Sequence, residues 1–207
     1  MMSGRIWRML GLIFALGLAF AVGATAIGEA FGRVEVPFAL LPLWVRQPRM
    51  FPLHMAAGGL TLILVPLAIL LRYRPRWHRP VARLASFCVI VAGLSALPVA
   101  LASPATATAR MGFFVQGCVW LALLAVGIWA IRRKAIRVHA LAMILMTAVA
   151  AGAIVLRGLL VVQAELFPDA DFDTAYAGMA WASWLLPLGL ILAWGLARAF
   201  RQPLARA

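Results

Sequence analysis

Long apolar stretches, each bounded by charged residues or by proline and glycine, recur along the chain. A hydrocarbon core of about 30 Å needs about 20 apolar residues in a helix. Six stretches approach or reach that length, approximately over residues 9–28, 51–71, 84–102, 112–131, 139–161 and 178–197. Continuous apolar runs favour helices over strands, because lipid offers the backbone no hydrogen-bond partners. We predict an all-α bundle of six transmembrane helices, a single integral membrane domain over residues 1–207.

The composition fits such a bundle and excludes other classes of protein. Hydrophobic residues make up 65% of the chain and charged residues 12%, with a mean hydropathy of +1.00. A soluble domain is about 45–50% apolar and about 25% charged. The net charge of +13 would suit nucleic acid only if the basic residues shared one surface. Here they separate apolar runs, so no nucleic-acid partner is expected.

Basic residues are distributed unevenly between the two sides of the predicted bundle, and short cytoplasmic loops collect Lys and Arg. Fourteen of the nineteen fall on one side: Arg5, Arg8, Arg72, Arg74, Arg76, Arg79, Arg83, Arg132, Arg133, Lys134, Arg137, Arg198, Arg201 and Arg206. The acidic residues fall on the other: Glu29, Glu35, Glu165, Asp169, Asp171 and Asp173. We expect a multi-pass protein of the bacterial inner membrane with both termini cytoplasmic. Its expected partners are the bilayer, anionic lipid at the cytoplasmic face and, as an alternative, another protein.

The first predicted span has a second interpretation. A basic segment precedes its apolar run, and Ala24-Thr25-Ala26 follows as an Ala-x-Ala sequence, the pattern of a cleaved signal peptide. Cleavage would leave five spans and would not change the orientation of the later helices.

Few ionisable residues lie within or beside the predicted spans, and each costs on the order of 3 kcal/mol or more at the bilayer centre. Arg157 is eighteen residues beyond His139, which is five full turns of a continuous helix, so both would share one face about 27 Å apart. Depth then predicts two polar layers. His54 accompanies Arg157 in the outer layer, and His78 accompanies His139 in the inner one.

These layers suggest two kinds of binding site. Two histidines can ligate one haem iron if their nitrogens approach to roughly 4 Å. Depth excludes His54 with His139 but permits one b-type haem between His78 and His139. A small polar ligand at His54 and Arg157 is the other hypothesis. The open alternatives are interfacial histidines and an arginine that extends to the headgroups.

Other reactive residues give weaker indications. Cys88 and Cys118 differ in depth by about 14 Å, too far for a disulfide, so we expect two free, buried thiols. The sequence has no recognisable catalytic constellation and no metal-ligand spacing. Whether the protein is an enzyme therefore stays open.

Two helix pairs also share a local pattern. A basic run precedes His78 just before Pro80, where we expect a helix to begin, and a second basic run precedes His139. This similarity indicates either a parallel repeat of two helix pairs or convergence under the positive-inside bias.

The order of these polar residues resembles that of a known family. The resemblance rests on four segments: His54-Met55-Ala56-Ala57-Gly58-Gly59, Trp77-His78-Arg79-Pro80-Val81-Ala82-Arg83, Arg137-Val138-His139-Ala140 and Arg157. Over about residues 50–197 the chain is similar to the bacterial predicted membrane proteins catalogued as domain of unknown function 2306. The chain departs from the family pattern at Pro80, Ala82 and Ala140. The resemblance implies a multi-helix membrane fold with polar residues at the three histidines and the arginine, and it implies no established activity.

Three functions follow as hypotheses. The first is an inner-membrane protein that binds a small polar ligand or one haem between its helices. The second is a non-catalytic partner or assembly subunit, because polybasic loops bind anionic lipid or proteins. The third is a small transporter, which the sequence favours least because no paired ionisable group lies at the midplane.

Overall fold

The computed structural model describes residues 2–37 and 40–201, and within these ranges the regular structure is helical. A single 3₁₀ turn, Leu71–Tyr73, separates the third helix from the fourth. The helices are α1 (Met2–Ala30), α2 (Leu41–Arg46), α3 (Met50–Leu70), α4 (Pro75–Ala102), α5 (Ala107–Arg132), α6 (Ile136–Ala150), α7 (Gly152–Leu166) and α8 (Phe172–Arg201).

Six crossings of a membrane account for all of these helices except the short α2. Four consist of one helix each, one joins α3 to the 3₁₀ turn, over Met50–Tyr73, and α6 and α7 together form the sixth, over Ile136–Leu166. The prediction of an all-α bundle with six transmembrane helices is therefore confirmed. Which side of the membrane holds the termini stays a prediction.

The fourth helix begins earlier than its apolar run. Pro75 occupies its first turn, where a missing N–H costs nothing. The expectation that a helix begins at Pro80 is wrong, because Pro80 lies inside α4. Hydropathy cannot detect this first stretch, since arginine is a good helix former but not apolar. As a result His78 lies on a helix rather than in a loop.

The fifth predicted span is interrupted near its middle. α6 ends at Ala150 and α7 begins at Gly152, although Ala151 between them keeps helical angles (φ −61°, ψ −15°). The expected helix through His139 and Arg157 is therefore one span, Ile136–Leu166, with an interruption of one residue. The Gln116 side-chain amide donates to the Val149 carbonyl beside the break at 3.2 Å. A β-carbon on Gly152 would lie 2.7 Å from that amide nitrogen. Glycine therefore allows the closest approach of α5 to the break.

The helices pack around one main apolar core. α3 pairs with α4, α5 pairs with α6, α1 lies along α3, and α8 contacts α5, α6 and α7. The core combines small and large side chains, among them Ala57, Val89, Ala92, Trp120, Leu124, Val149 and Trp184. Cys88 is a buried free thiol as expected, whereas Cys118 is exposed. The helical turn directs its neighbours Gly117 and Trp120 to the core, which leaves Cys118 facing outward.

We call the two ends of the bundle the arginine-rich end and the opposite end. The arginine-rich end carries the α3–α4 and α5–α6 turns, at residues 71–74 and 133–135. At the opposite end α2 covers a second apolar cluster, where Trp44 meets Phe51 edge-on with ring centroids 6.0 Å apart. Arg46, at the end of α2, holds this helix in place by donating a hydrogen bond to the Ala102 carbonyl at 3.1 Å.

Glycine sets the distance between α1 and α3. A β-carbon on Gly23 would lie 2.7 Å from the Gly59 carbonyl oxygen, and one on Gly59 would lie 2.5 Å from the Gly23 carbonyl oxygen. Since both contacts are with backbone, no side-chain rotation could relieve them. Such close approach of small residues is typical of packed membrane helices.

We expect Gly59→Ala to destabilise the protein by about 1–3 kcal/mol, because the new methyl group would push α1 away from α3. Gly58→Ala is the matched control, since a β-carbon there has nothing within 4 Å. Both replacements raise helix propensity equally, by about 1 kcal/mol. Thermal unfolding in detergent measures the difference between them. Equal unfolding midpoints for the two variants would contradict the close contact.

Candidate functional site

All three histidines use the same ring nitrogen to bind a neighbouring helix. The Nδ1 atoms of His54, His78 and His139 each lie 2.9 Å from a backbone carbonyl oxygen, that of Ala92, Ala68 and Gly127 respectively. A carbonyl can only accept a hydrogen bond, so Nδ1 is the donor. In the neutral ring the Nε2 atom is therefore left as an acceptor.

These bonds link the two hairpins in the same way. His78 is the fourth residue of α4 and donates to α3, and His139 is the fourth residue of α6 and donates to α5. The first helix of each hairpin also donates a side-chain hydrogen bond to the second helix: His54 of α3 donates to α4, and Gln116 of α5 donates to α6. The positive-inside bias explains the arginines but not this pairing. The two hairpins thus share the placement of His78 and His139, and a parallel repeat of two helix pairs stays a hypothesis beside convergence.

Glu29 and His54 lie at one level of the bundle. The contact of Gly23 with Gly59 fixes the antiparallel register of α1 and α3. Glu29 follows Gly23 by six residues, about 9 Å of helix, and His54 precedes Gly59 by five, about 7.5 Å. Both side chains are thus on the same side of the glycine contact, toward the opposite end.

Arg157 completes this group of polar residues from α7. α7 contacts α1, and the Arg157 guanidinium is near enough to Glu29 and His54 to influence both electrostatically. A ligand site at His54 and Arg157 stays a prediction. One guanidinium nitrogen, Nη1, donates to the Ala153 carbonyl at 3.0 Å, which holds the side chain along its own helix. We call Glu29, His54 and Arg157 the polar cluster.

Glu29 is the member that the sequence analysis placed wrongly, among the acidic residues outside the spans. It lies in the last turn of α1 and is only 5% exposed. Its Oε2 atom is buried and has no hydrogen-bond partner in the part of the chain that the structure describes. The signal in the sequence was its position directly after the apolar run, because a helix that continues by one turn carries the residue inside the bundle.

The arrangement has unused hydrogen-bonding capacity. A buried carboxylate without a partner is costly, since its desolvation is not compensated. Arg157, which acts electrostatically on Glu29, has five N–H donors in a planar fork. His54 contributes the Nε2 acceptor. The polar cluster therefore offers acceptors on α1 and α3 and donors on α7.

The predicted haem ligands lie at the arginine-rich end. His78 is held against α3 and His139 against α5, and α4 and α6 do not pack directly on each other in the part of the chain that the structure describes. In the neutral form of either ring Nε2 is the free acceptor, the atom that binds a metal while Nδ1 donates to a carbonyl. A haem between them stays a prediction. Among residues 2–37 and 40–201 no group of three His, Cys, Asp or Glu side chains is arranged to hold a metal ion.

The acidic loop before α8 has a local structural role. Asp171 accepts a hydrogen bond from the Thr174 backbone N–H at 2.9 Å, which caps the first turn of α8. Hydrogen bonds from the Thr174 side chain and backbone lower the pKa of the Asp171 carboxyl. Asp171 thus satisfies one of the free N–H groups of the helix.

Comparison with known proteins gives one match. The model of the family described as predicted membrane protein (DUF2306) matches residues 51–196. No curated protein and no solved structure matches the chain. The matched segment runs from α3 into α8, contains the three histidines and Arg157, and begins after Glu29. Because it covers more than half of the sequence, the chain belongs to the DUF2306 family of predicted membrane proteins.

Proposed function

We propose that this multi-pass membrane protein binds a small polar ligand at the polar cluster, between α1, α3 and α7. The observation that carries the proposal is the buried Oε2 atom of Glu29, which no group within residues 2–37 and 40–201 satisfies. Natural proteins rarely leave such an atom unpaired, and ionisable groups inside a membrane are functional candidates by default. A bound ligand would supply the missing partner.

The neighbours of Glu29 support this proposal. His54 has its Nδ1–H committed to the Ala92 carbonyl, so only Nε2 is available to a ligand. Arg157 is half-buried and retains N–H donors beyond the one bonded to Ala153. Three helices thus place groups with different hydrogen-bonding roles around one position, which is how a site fixes the orientation of a small ligand.

We expect a small molecule to co-purify with the protein in mild detergent and to be lost from Glu29→Gln and from Arg157→Leu. Glu35→Gln and Arg110→Leu are the matched controls, because Glu35 is exposed and Arg110 lies in the first turn of α5 at the opposite end. Mass spectrometry of the extracted small molecules gives the readout, and circular dichroism checks that each variant is folded. Identical extracts from wild type and all four folded variants would contradict the proposal.

A second candidate function is the binding of one b-type haem between His78 and His139. The observation in its favour is that both rings donate through Nδ1 to a carbonyl of their own hairpin. Both therefore present Nε2, the atom that a histidine uses to ligate haem iron. Bound haem would make the protein competent for electron transfer.

We expect a protein purified from haem-supplemented cells to show a Soret absorption band that disappears in His139→Ala. His54→Ala is the control, because its ring lies toward the opposite end and the band should remain. A colourless wild-type preparation would remove this candidate.

The arginine-rich end is proposed to bind anionic lipid. Residues 36–164 contain no carboxylate side chain, so the basic turns have no acidic neighbours in sequence. Arginines also stack on aromatic rings there, with Arg72 4.4 Å from the centre of the Tyr73 ring and Arg133 5.9 Å from that of Trp129. Aromatic and basic side chains together are typical of the headgroup region. The partner-subunit and transporter hypotheses have no comparable observation in their favour.

In nanodiscs that contain phosphatidylcholine and phosphatidylglycerol, we expect wild type to retain phosphatidylglycerol preferentially. The triple variant Arg133→Gln, Lys134→Gln, Arg137→Gln should lose much of that preference, because each basic residue contributes about 1 kcal/mol near an anionic surface. Native mass spectrometry counts the retained lipids. An unchanged lipid ratio in the folded triple variant would refute the assignment.

A further inference from the structure

The hydrogen-bonding groups of the polar cluster define the chemical class of its ligand. We infer that the ligand is a zwitterion that carries a primary ammonium group beside a carboxylate or phosphate. This inference rests on the proposed function and makes it more specific. The ammonium group would face Glu29 and His54, and the anionic group would face Arg157.

The ammonium end follows from the two acceptors. Glu29 Oε2 is buried and has no partner. His54 Nε2 is an acceptor because Nδ1 already donates to the Ala92 carbonyl at 2.9 Å. A primary ammonium group has three N–H donors, which is enough to reach both acceptors. A hydroxyl group has one donor, and a quaternary ammonium has none.

The anionic end follows from Arg157. One N–H group of its guanidinium donates to the Ala153 carbonyl. The remaining N–H groups suit the two oxygens of a carboxylate or phosphate. When Glu29 is ionised and the His54 ring is neutral, the Glu29 carboxylate and the Arg157 guanidinium sum to zero charge. A purely anionic ligand would leave Glu29 unmatched, and a purely cationic ligand would leave Arg157 unmatched. A zwitterion compensates both.

The position of the cluster suits a ligand that enters from the membrane surface. Glu29 is one residue from the end of α1, and His54 is four residues from the start of α3, about 6 Å along the axis. This is close to the depth at which lipid headgroups begin. The headgroup of phosphatidylethanolamine and a free amino acid share the required chemistry, since both join an ammonium group to an anion.

The test uses two lipids that differ only in their N–H donors. Phosphatidylcholine carries three methyl groups on the nitrogen where phosphatidylethanolamine carries hydrogens. Wild-type protein in nanodiscs containing equal amounts of both should retain phosphatidylethanolamine by about tenfold over phosphatidylcholine, the effect of one charge-assisted hydrogen bond. Native mass spectrometry of the released complex gives the ratio. Added glycine tests the second source, because a free amino acid bound at the same position would displace the retained lipid.

Glu29→Gln should bring the ratio close to one, and Glu35→Gln should leave it at the wild-type value. Arg157→Gln supplies an independent variant, which should lower the retention of both lipids. A wild-type ratio near one without any effect of glycine on retained lipid, or an unchanged preference in Glu29→Gln, overturns the inference. If Glu29→Gln instead loses a co-purifying ligand that has no amine, the inference fails while the proposed function stands.

Discussion

The constraint on which this structure depends is that polar groups between membrane helices must find partners within the protein. Lipid supplies neither donors nor acceptors, so polar side chains within the spans bond to backbone carbonyls, some on their own helix and some on adjacent helices. His78 and His139 bond in this way near the turns of their hairpins, and His54 and Gln116 do so farther along. Each hairpin is therefore connected by one bond from each of its two helices. Glycine contacts, as at Gly23 and Gly59, then allow the close packing of α1.

The polar cluster differs from these linkages in one respect. The interhelical bonds of the histidines satisfy both partners, whereas the Glu29 carboxyl is buried with one oxygen unpaired. Burial of a charge contributes little to stability even when it is paired. Retaining such a group inside a bundle is explained better by ligand binding than by packing. The asymmetry between satisfied linkages and an unsatisfied carboxyl group is the reason for proposing a ligand site at this end of the molecule.

The sequence predicted the number of crossings because the length of an apolar run is set by the thickness of the bilayer. It also proposed His54 and Arg157 as a pair, since depth along a helix can be counted in residues, and that pair stays a prediction. It missed the start of α4, because helix formation by a basic segment leaves no hydropathy signal. It missed the interruption at Ala151, where Gly152 lies close to side chains of α5 and α8, because such tertiary contacts leave no hydropathy signal either. Glu29 was missed because the apolar run does not show that α1 continues to Ala30. This last turn places the Glu29 side chain inside the bundle rather than in solvent.

The central claim is that Glu29 and Arg157 interact across α1 and α7 within one cluster. A double-mutant cycle measures this directly, with unfolding free energies determined for wild type, Glu29→Gln, Arg157→Gln and the double variant. The account predicts a coupling energy of about 0.5–3 kcal/mol, as found for residues in one polar network. It also predicts that the corresponding cycle with Glu35→Gln gives none. Additive effects of Glu29→Gln and Arg157→Gln would contradict the account.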